Sequence, residues 1–179
     1  MNNENREIIL AGFGGQGILF AGKLLAYFGL LGGREVSWLP SYGPEMRGGT
    51  ANCSVCISDK PIGSPLVTEP NILIVMNNPS YDKFINAVAP DGLAIVDSSL
   101  VEGKSDRNDI SCVYIPATEM ANENDLRGMA NIILVGRLIK ETGIASAELI
   151  RKALEKIIPS SKKQLVEFNM KAIQLGMNS

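Results

Sequence analysis

Histidine is absent from the 179 residues of this chain. That removes the commonest general base and the commonest neutral metal ligand, so Ser–His and Cys–His nucleophile pairs are excluded within it. Cysteine is scarce and odd in number (Cys53, Cys56 and Cys112), which argues against a disulfide framework and suits a reducing compartment. Neither sign of charge dominates. The formal net charge of -2 gives no electrostatic footing for nucleic acid or an anionic membrane. No stretch approaches the roughly 20 apolar residues of a membrane span. The start, Met1-Asn2-Asn3-Glu4-Asn5-Arg6-Glu7, lacks the basic-then-apolar layout of a signal peptide. These absences lead us to expect a soluble, cytoplasmic protein.

Apolar residues make up 45% and charged residues 20%, the balance of an ordinary globular protein. The length implies one domain, 1–179, with a single sizeable core. Six short apolar runs read as strands: Glu7 to Ala11, Glu35 to Leu39, Asn52 to Ile57, Ile72 to Val75, Leu93 to Val96 and Cys112 to Ile115. They lack clean alternation, as strands covered on both faces do. Helical spacing appears from Gly17 to Leu31 and from Pro79 to Val88, with Asn78 as the expected cap and Pro79 in the first turn. In the last third, Arg127 to Glu141, Ser146 to Ile158 and Lys162 to Leu175 each carry an amphipathic pattern, ending at Thr142-Gly143, Pro159 and Gly176. The pattern predicts an α/β fold, a three-layer sandwich with a mainly parallel sheet, a Rossmann-like start and a helical C-terminal third.

Gly12-Phe13-Gly14-Gly15-Gln16-Gly17 lies at the first strand-to-helix turn. Its glycines are spaced as in the dinucleotide fingerprint G-x-G-x-x-G. Such a turn aims the free N–H groups of a helix start at its ligand, and that end favours anions. A dinucleotide site also needs an acid at the end of the second strand, about 20 residues on, for the ribose hydroxyls. Glu35 is 18 residues past Gly17 but opens its strand, and Trp38-Leu39-Pro40 closes it without an acid. Three readings stay open on these residues: a dinucleotide site, a tight turn with purely structural glycines, and a backbone cradle for another anion or a partner subunit. No G-x-x-x-x-G-K-[ST] is present, so a Walker nucleotide site is unsupported.

Ser41-Tyr42-Gly43-Pro44-Glu45-Met46-Arg47-Gly48-Gly49-Thr50 follows the second strand, at the carboxyl edge where open α/β sheets bind ligands. Arg47 suits bidentate contacts to phosphate or carboxylate; a surface turn with a solvated Glu45/Arg47 pair is the plain alternative. Together with Trp38-Leu39-Pro40, Ala51-Asn52-Cys53-Ser54-Val55 and Pro61-Ile62-Gly63-Ser64-Pro65, the two loops strongly resemble one family. They look like the gamma subunit of 2-oxoacid:ferredoxin oxidoreductases, with the 2-oxoglutarate and 2-ketoisovalerate types nearest and pyruvate enzymes in the same family. The resemblance covers about residues 6–175.

That resemblance implies a subunit, inactive alone, of a thiamine-diphosphate enzyme that oxidatively decarboxylates a 2-oxoacid, 2-oxoglutarate being favoured. The complex releases an acyl-CoA and passes electrons to ferredoxin. It implies that thiamine diphosphate, magnesium and iron–sulfur clusters belong to alpha, beta and ferredoxin-like delta partner subunits, with coenzyme A touching this chain. By the same analogy the site residues are Gly12, Gly14, Gly15, Gln16, Gly17, Ser41, Tyr42, Gly43, Glu45, Arg47, Gly48 and Gly49. The Gly14–Gly17 backbone and the Arg47 side chain are the expected coenzyme contacts, and no residue here is catalytic. An isolated chain would self-associate as a homodimer through its partner-facing surface.

The remaining residues agree with a supporting part. An iron–sulfur cluster takes four thiolates, and Cys53-x-x-Cys56 lies in a predicted strand, where residues three apart face opposite sides. Nothing matches the family's G-D-G…N-N thiamine motif, and Asn77-Asn78 alone reads as a helix entry. Trp38 reads as a core or interface aromatic, Met46 as an interface contact, and Asp97-Ser98-Ser99 as a cap or turn that could also line the site. The rival to the subunit is a stand-alone nucleotide- or coenzyme-A-binding α/β domain without redox chemistry.

Overall fold

All six apolar runs become strands of one sheet: β1 (Asn5–Phe13), β2 (Glu35–Ser41), β3 (Thr50–Ser58), β4 (Ile72–Val75), β5 (Leu93–Asp97) and β6 (Ser111–Ile115). Their order is β2-β3-β1-β4-β5-β6. The computed structural model describes residues 5–41 and 50–179. β1, β4, β5 and β6 pair in parallel, whereas β3 is antiparallel to both β1 and β2. β2 therefore runs with β1, and β3 alone is reversed. Chain length explains the reversal. Only residues 42–49 join β2 to β3, too few for the dozen or more that a parallel crossover takes.

The helices are α1 (Ile18–Leu31), α2 (Asn78–Phe84, extended by a 3-10 turn to Ala87), α3 (Ala117–Glu123), α4 (Ala130–Thr142), α5 (Ala147–Ile157) and α6 (Gln164–Asn178). Helices and loops cover both faces of the sheet. Ile8, Leu10, Cys53, Val55, Ile57, Ile74 and Ile95 pack on one side with α1, α4, α5 and α6. Ile9, Ala11, Cys56, Leu73, Val75 and Val96 pack on the other with Tyr81 and Ile85. β4 and β5 are buried at every position, which is why Ile72–Val75 and Leu93–Val96 are unbroken apolar runs, with the buried Asp97 closing β5. Each such side chain, taken from water, contributes about 2 kcal/mol before entropy is counted.

Cys53 and Cys56 do lie on opposite faces, one in each core. Burial pushes the Cys53 thiol up to about 12, so it stays protonated at neutral pH and behaves as a small apolar side chain. Trp38 packs against the same core as Cys53.

Four local expectations need correction. Asn77, not Asn78, caps α2: its Oδ1 accepts the Ser80 N–H at 2.8 Å, because a cap reaches the third residue of the helix and Pro79 fills the first turn. α3 was not expected. Its start is held by Asp97, whose carboxylate accepts the Thr118 N–H at 3.3 Å and the Thr118 hydroxyl at 2.6 Å, a cap delivered from across the fold. β2 runs on to Ser41 instead of ending near Leu39. α6 does not stop at Gly176 but reaches Asn178. A Cβ on Gly176 would collide with the Ile133 carbonyl oxygen of α4, and one on Gly136 with that of Ile173. These glycines let two helix backbones touch; Gly176 does not end a helix.

Candidate functional site

β1 connects through α1 on one face of the sheet, and β4, its parallel neighbour, through α2 on the other. The carboxyl ends of β1 and β4 are thus a topological switch point, where open α/β sheets form a crevice. Gly14–Gly17 follows β1 at that point, and Met76-Asn77 follows β4.

The loop is held in a fixed shape by one side chain. Gln16 folds back so that its Oε1 accepts the Phe13 N–H at 2.6 Å, while its Nε2 donates to the Met76 carbonyl at 3.2 Å. The Gln16 N–H also donates to the Phe13 carbonyl at 3.2 Å. A side chain on Gly12 would stand 2.6 Å from Gln16 Oε1, so the small residue there makes room for the fold-back. Gln16 is therefore spent on the protein itself, tying the β1 loop to the end of β4.

Gly15 and Gly17 have φ of 93° and 74°, backbone that L side chains rarely adopt. Gly17 is the N-cap of α1 and supplies no capping side chain. Among the described residues, the N–H groups of Gly14, Gly15 and Gly17 donate to no carbonyl or side chain. Together with the first turn of α1 they form a patch of donors at the positive end of a helix dipole, which favours an anion.

A residue that carried no motif completes this corner. Asn131, in the first turn of α4 and 4% exposed, donates from Nδ2 to the Gly17 carbonyl at 2.9 Å. Its Oδ1 is buried without a donor. Helical periodicity marked position 131 only as one residue of an amphipathic run. Its contact with Gly17 spans 114 residues of sequence, and only the folded chain reveals it.

The loop borders a cleft of about 200 Å³ lined by Gly15, Gln16, Met76, Thr118, Gly128 and Ala130, among others. Ser41 ends β2 at the same edge, level with Asn52 and Ala11, but it opens into a different cleft of about 420 Å³ with Leu39, Asn52, Ser54 and Lys83. The expected set is thereby divided. Gly12, Gly14, Gly15, Gln16 and Gly17 share one corner, and Ser41 lies two strands away, about 10 Å by strand spacing. Tyr42, Gly43, Glu45, Arg47, Gly48 and Gly49 lie outside the described residues, as does Met46. Asp97 is buried and engaged with Ser99 and Thr118, so it serves as a cap and turn. Among the described residues, no group of three or more acidic, cysteine or histidine side chains is placed to hold a metal.

Comparison with known proteins gives this geometry its context. The chain is 38% identical over 169 residues to the 2-oxoglutarate synthase subunit KorC of Methanocaldococcus jannaschii, covering 92% of this chain and 90% of that one. It is 36% identical over 172 residues to the ketoisovalerate oxidoreductase subunit VorA of Methanothermobacter thermautotrophicus. That match covers 95% of this chain but only 35% of VorA, so the chain spans about a third of that relative's length. Its fold matches the crystal structure of a keto/oxoacid ferredoxin oxidoreductase gamma subunit from Geobacter sulfurreducens. There the TM-score is 0.80 at 30% identity, covering 97% and 96% of the two chains. Residues 7–179 match the family described as pyruvate ferredoxin/flavodoxin oxidoreductase, and the chain belongs to that family.

Proposed function

We propose that this chain is the gamma subunit of a thiamine-diphosphate-dependent 2-oxoacid:ferredoxin oxidoreductase and forms one domain over its whole length. The complex converts a 2-oxoacid to an acyl-CoA while reducing ferredoxin. The observation that carries this reading is the end-to-end similarity to KorC, 38% identical with 90% of that subunit covered. The same similarity makes 2-oxoglutarate the favoured substrate.

This chain's part is to hold coenzyme A, which supplies the thiol that takes up the acyl group. The fit rests on two features of the described residues: the unsatisfied N–H groups of Gly14, Gly15 and Gly17, and the buried, donor-free Oδ1 of Asn131. The N–H groups bind a phosphate of the coenzyme through the helix N-terminus. Gln16 keeps the loop in shape while that happens, and Arg47 adds a bidentate contact from the neighbouring segment. Other groups of the complex do not fit here. The thiols of Cys53 and Cys56 face opposite sides of the sheet and cannot meet on one cluster, and we assign the iron–sulfur clusters, together with thiamine diphosphate and magnesium, to partner subunits. Phe13 and Leu39 stand exposed near the same edge, apolar surface of the kind that subunit contacts cover. Alpha and beta subunits dock there, with a ferredoxin-like delta subunit completing the assembly in the cytoplasm. Without them, two copies of the chain pair through this surface.

Affinity purification through a tag on this chain, from its native source, tests the proposal. Thiamine-diphosphate and iron–sulfur chains should co-purify, and the eluate should reduce ferredoxin with 2-oxoglutarate and coenzyme A. A chain recovered without such partners would contradict it.

A further inference from the structure

We propose that the cleft between β3, α2 and the loop after β3 binds a small organic acid, a single carboxylate on a compact apolar body. This is the cleft into which Ser41 opens, two strands from the glycine loop, and the proposal does not rest on the coenzyme A reading.

It begins with an alternation in β3. Cys53, Val55 and Ile57 pack in the core shared with α1, and Asn52 and Ser54 alternate with them toward the other face of the sheet. Such a pattern ordinarily marks a face open to water. Here the 59–71 connection and α2 lie over it, so that Ser54 lines the cleft together with Leu66 and Phe84 and is only 7% exposed. The floor is the sheet itself, because Ile9 of β1 is the cross-strand neighbour of Ser54. The Ser54 hydroxyl and the Asn52 amide make no hydrogen bond within the protein, and the Ser54 Oγ is not sealed from the cleft. Two residues apart on one strand face, they stand about 7 Å from each other, a gap that a carboxylate bridges with one oxygen to each. A polar group covered this deeply gains free energy from a ligand that pairs with it.

Charge selects the kind of ligand. Lys83 lines the same cleft, its Nζ 5.1 Å from the centre of the Phe84 ring. It has no carboxylate partner, and among the described residues no acidic side chain lines the cleft. Lys83, Asn52 and Ser54 all donate, and an ionised carboxylate is an acceptor only. One cation matches one negative charge. A dicarboxylate or a phosphate dianion would leave a second charge facing Ile9, Leu66 and Phe84 without a partner. The volume of about 420 Å³ falls within the roughly 300–1,000 Å³ of small-molecule sites, so the apolar body fits beside the carboxylate.

The test is a titration of the full chain, followed through its backbone amide NMR signals, with phenylacetate, its neutral isostere phenylacetamide, and acetate. Phenylacetate should bind at least about fivefold more tightly than either of the others, with the largest shifts at Asn52, Ser54 and Phe84. Lys83→Gln, at an exposed position, should reduce the preference for phenylacetate over phenylacetamide to about twofold or less. Ser54→Ala should weaken phenylacetate about fivefold without lowering the melting temperature, since the folded chain loses no hydrogen bond. Lys83→Gln keeps the test decisive if Ser54→Ala does not fold. Equal affinity for phenylacetate and phenylacetamide would overturn the proposal, as would shifts confined to residues outside the cleft. So would a Ser54→Ala chain that melts lower and binds as before, which would assign the hydroxyl to packing. Displacement of phenylacetate by coenzyme A would also overturn it, by making the cleft part of the coenzyme site.

Discussion

At the carboxyl edge of the sheet a side chain on Gly15 would meet none of the described residues within 4 Å, whereas in the C-terminal helices Gly136 and Gly176 have another backbone in that space. The same residue type performs two different tasks. In the loop, glycine permits a left-handed backbone and leaves donors facing open space, which suits a ligand. Between α4 and α6, the most extensive helix pair of the fold, glycine removes a Cβ so that packing can be tight. α4 joins the two regions: Asn131 in its first turn touches the loop, and Gly136 midway along it touches α6. One region is packed backbone to backbone, and the other keeps its backbone donors open. Glycine content alone did not distinguish them.

Substitutions that break this contrast should differ in both size and readout. The largest effect is expected for Gly176→Ala. Its new methyl would meet the Ile133 carbonyl, backbone that cannot yield as a side chain would, so overpacking should cost about 3 kcal/mol in urea unfolding. Coenzyme A affinity per folded molecule should be unchanged. Gln16→Ala comes next, because it orphans the Phe13 N–H and the Met76 carbonyl. A loss of about 1–2 kcal/mol should appear in the same experiment, with faster hydrogen exchange at the Phe13 amide. Gln16→Glu should recover part of the difference at best, since a carboxylate can accept from Phe13 but cannot donate to Met76. The smallest effect on stability is expected for Gly15→Ala, which meets no neighbour among the described residues and costs only the strain of φ 93°, about 1 kcal/mol. If Gly15→Ala destabilised as much as Gly176→Ala, the division between the two regions would fail.

Much of this architecture was legible in the sequence. Most strands were apolar runs bounded by Gly, Pro, Asp or Asn, and Ser146, the first residue of the expected helical pattern, caps α5 through the Leu149 N–H. The glycine loop fell at a strand-to-helix turn because the unbroken apolar run Ile8-Ile9-Leu10-Ala11 gave way there to helical spacing. What escaped were features decided by contacts between distant residues. The direction of β3 depends on pairing with β1 and β2. α3 is seven residues long and relies on Asp97, about twenty residues earlier, to hold its start. Gly176 resembled a helix stop because a glycine that ends a helix and one that admits a neighbouring helix look the same in one dimension. Asn131 belonged to an amphipathic run in which a polar residue on the buried face was the only anomaly. That anomaly was the available signal: a buried Asn needs partners, and here one of them is missing.

The central claim is that the glycine loop holds coenzyme A within a 2-oxoacid:ferredoxin oxidoreductase. It is tested most directly by the coenzyme A dependence of 2-oxoglutarate-driven ferredoxin reduction, measured on complexes carrying wild-type or Gly15→Ala chains. The account predicts a KM for coenzyme A raised at least about fivefold, roughly 1 kcal/mol of binding, with kcat and the KM for 2-oxoglutarate unchanged. An unchanged KM for coenzyme A in an intact complex would contradict it.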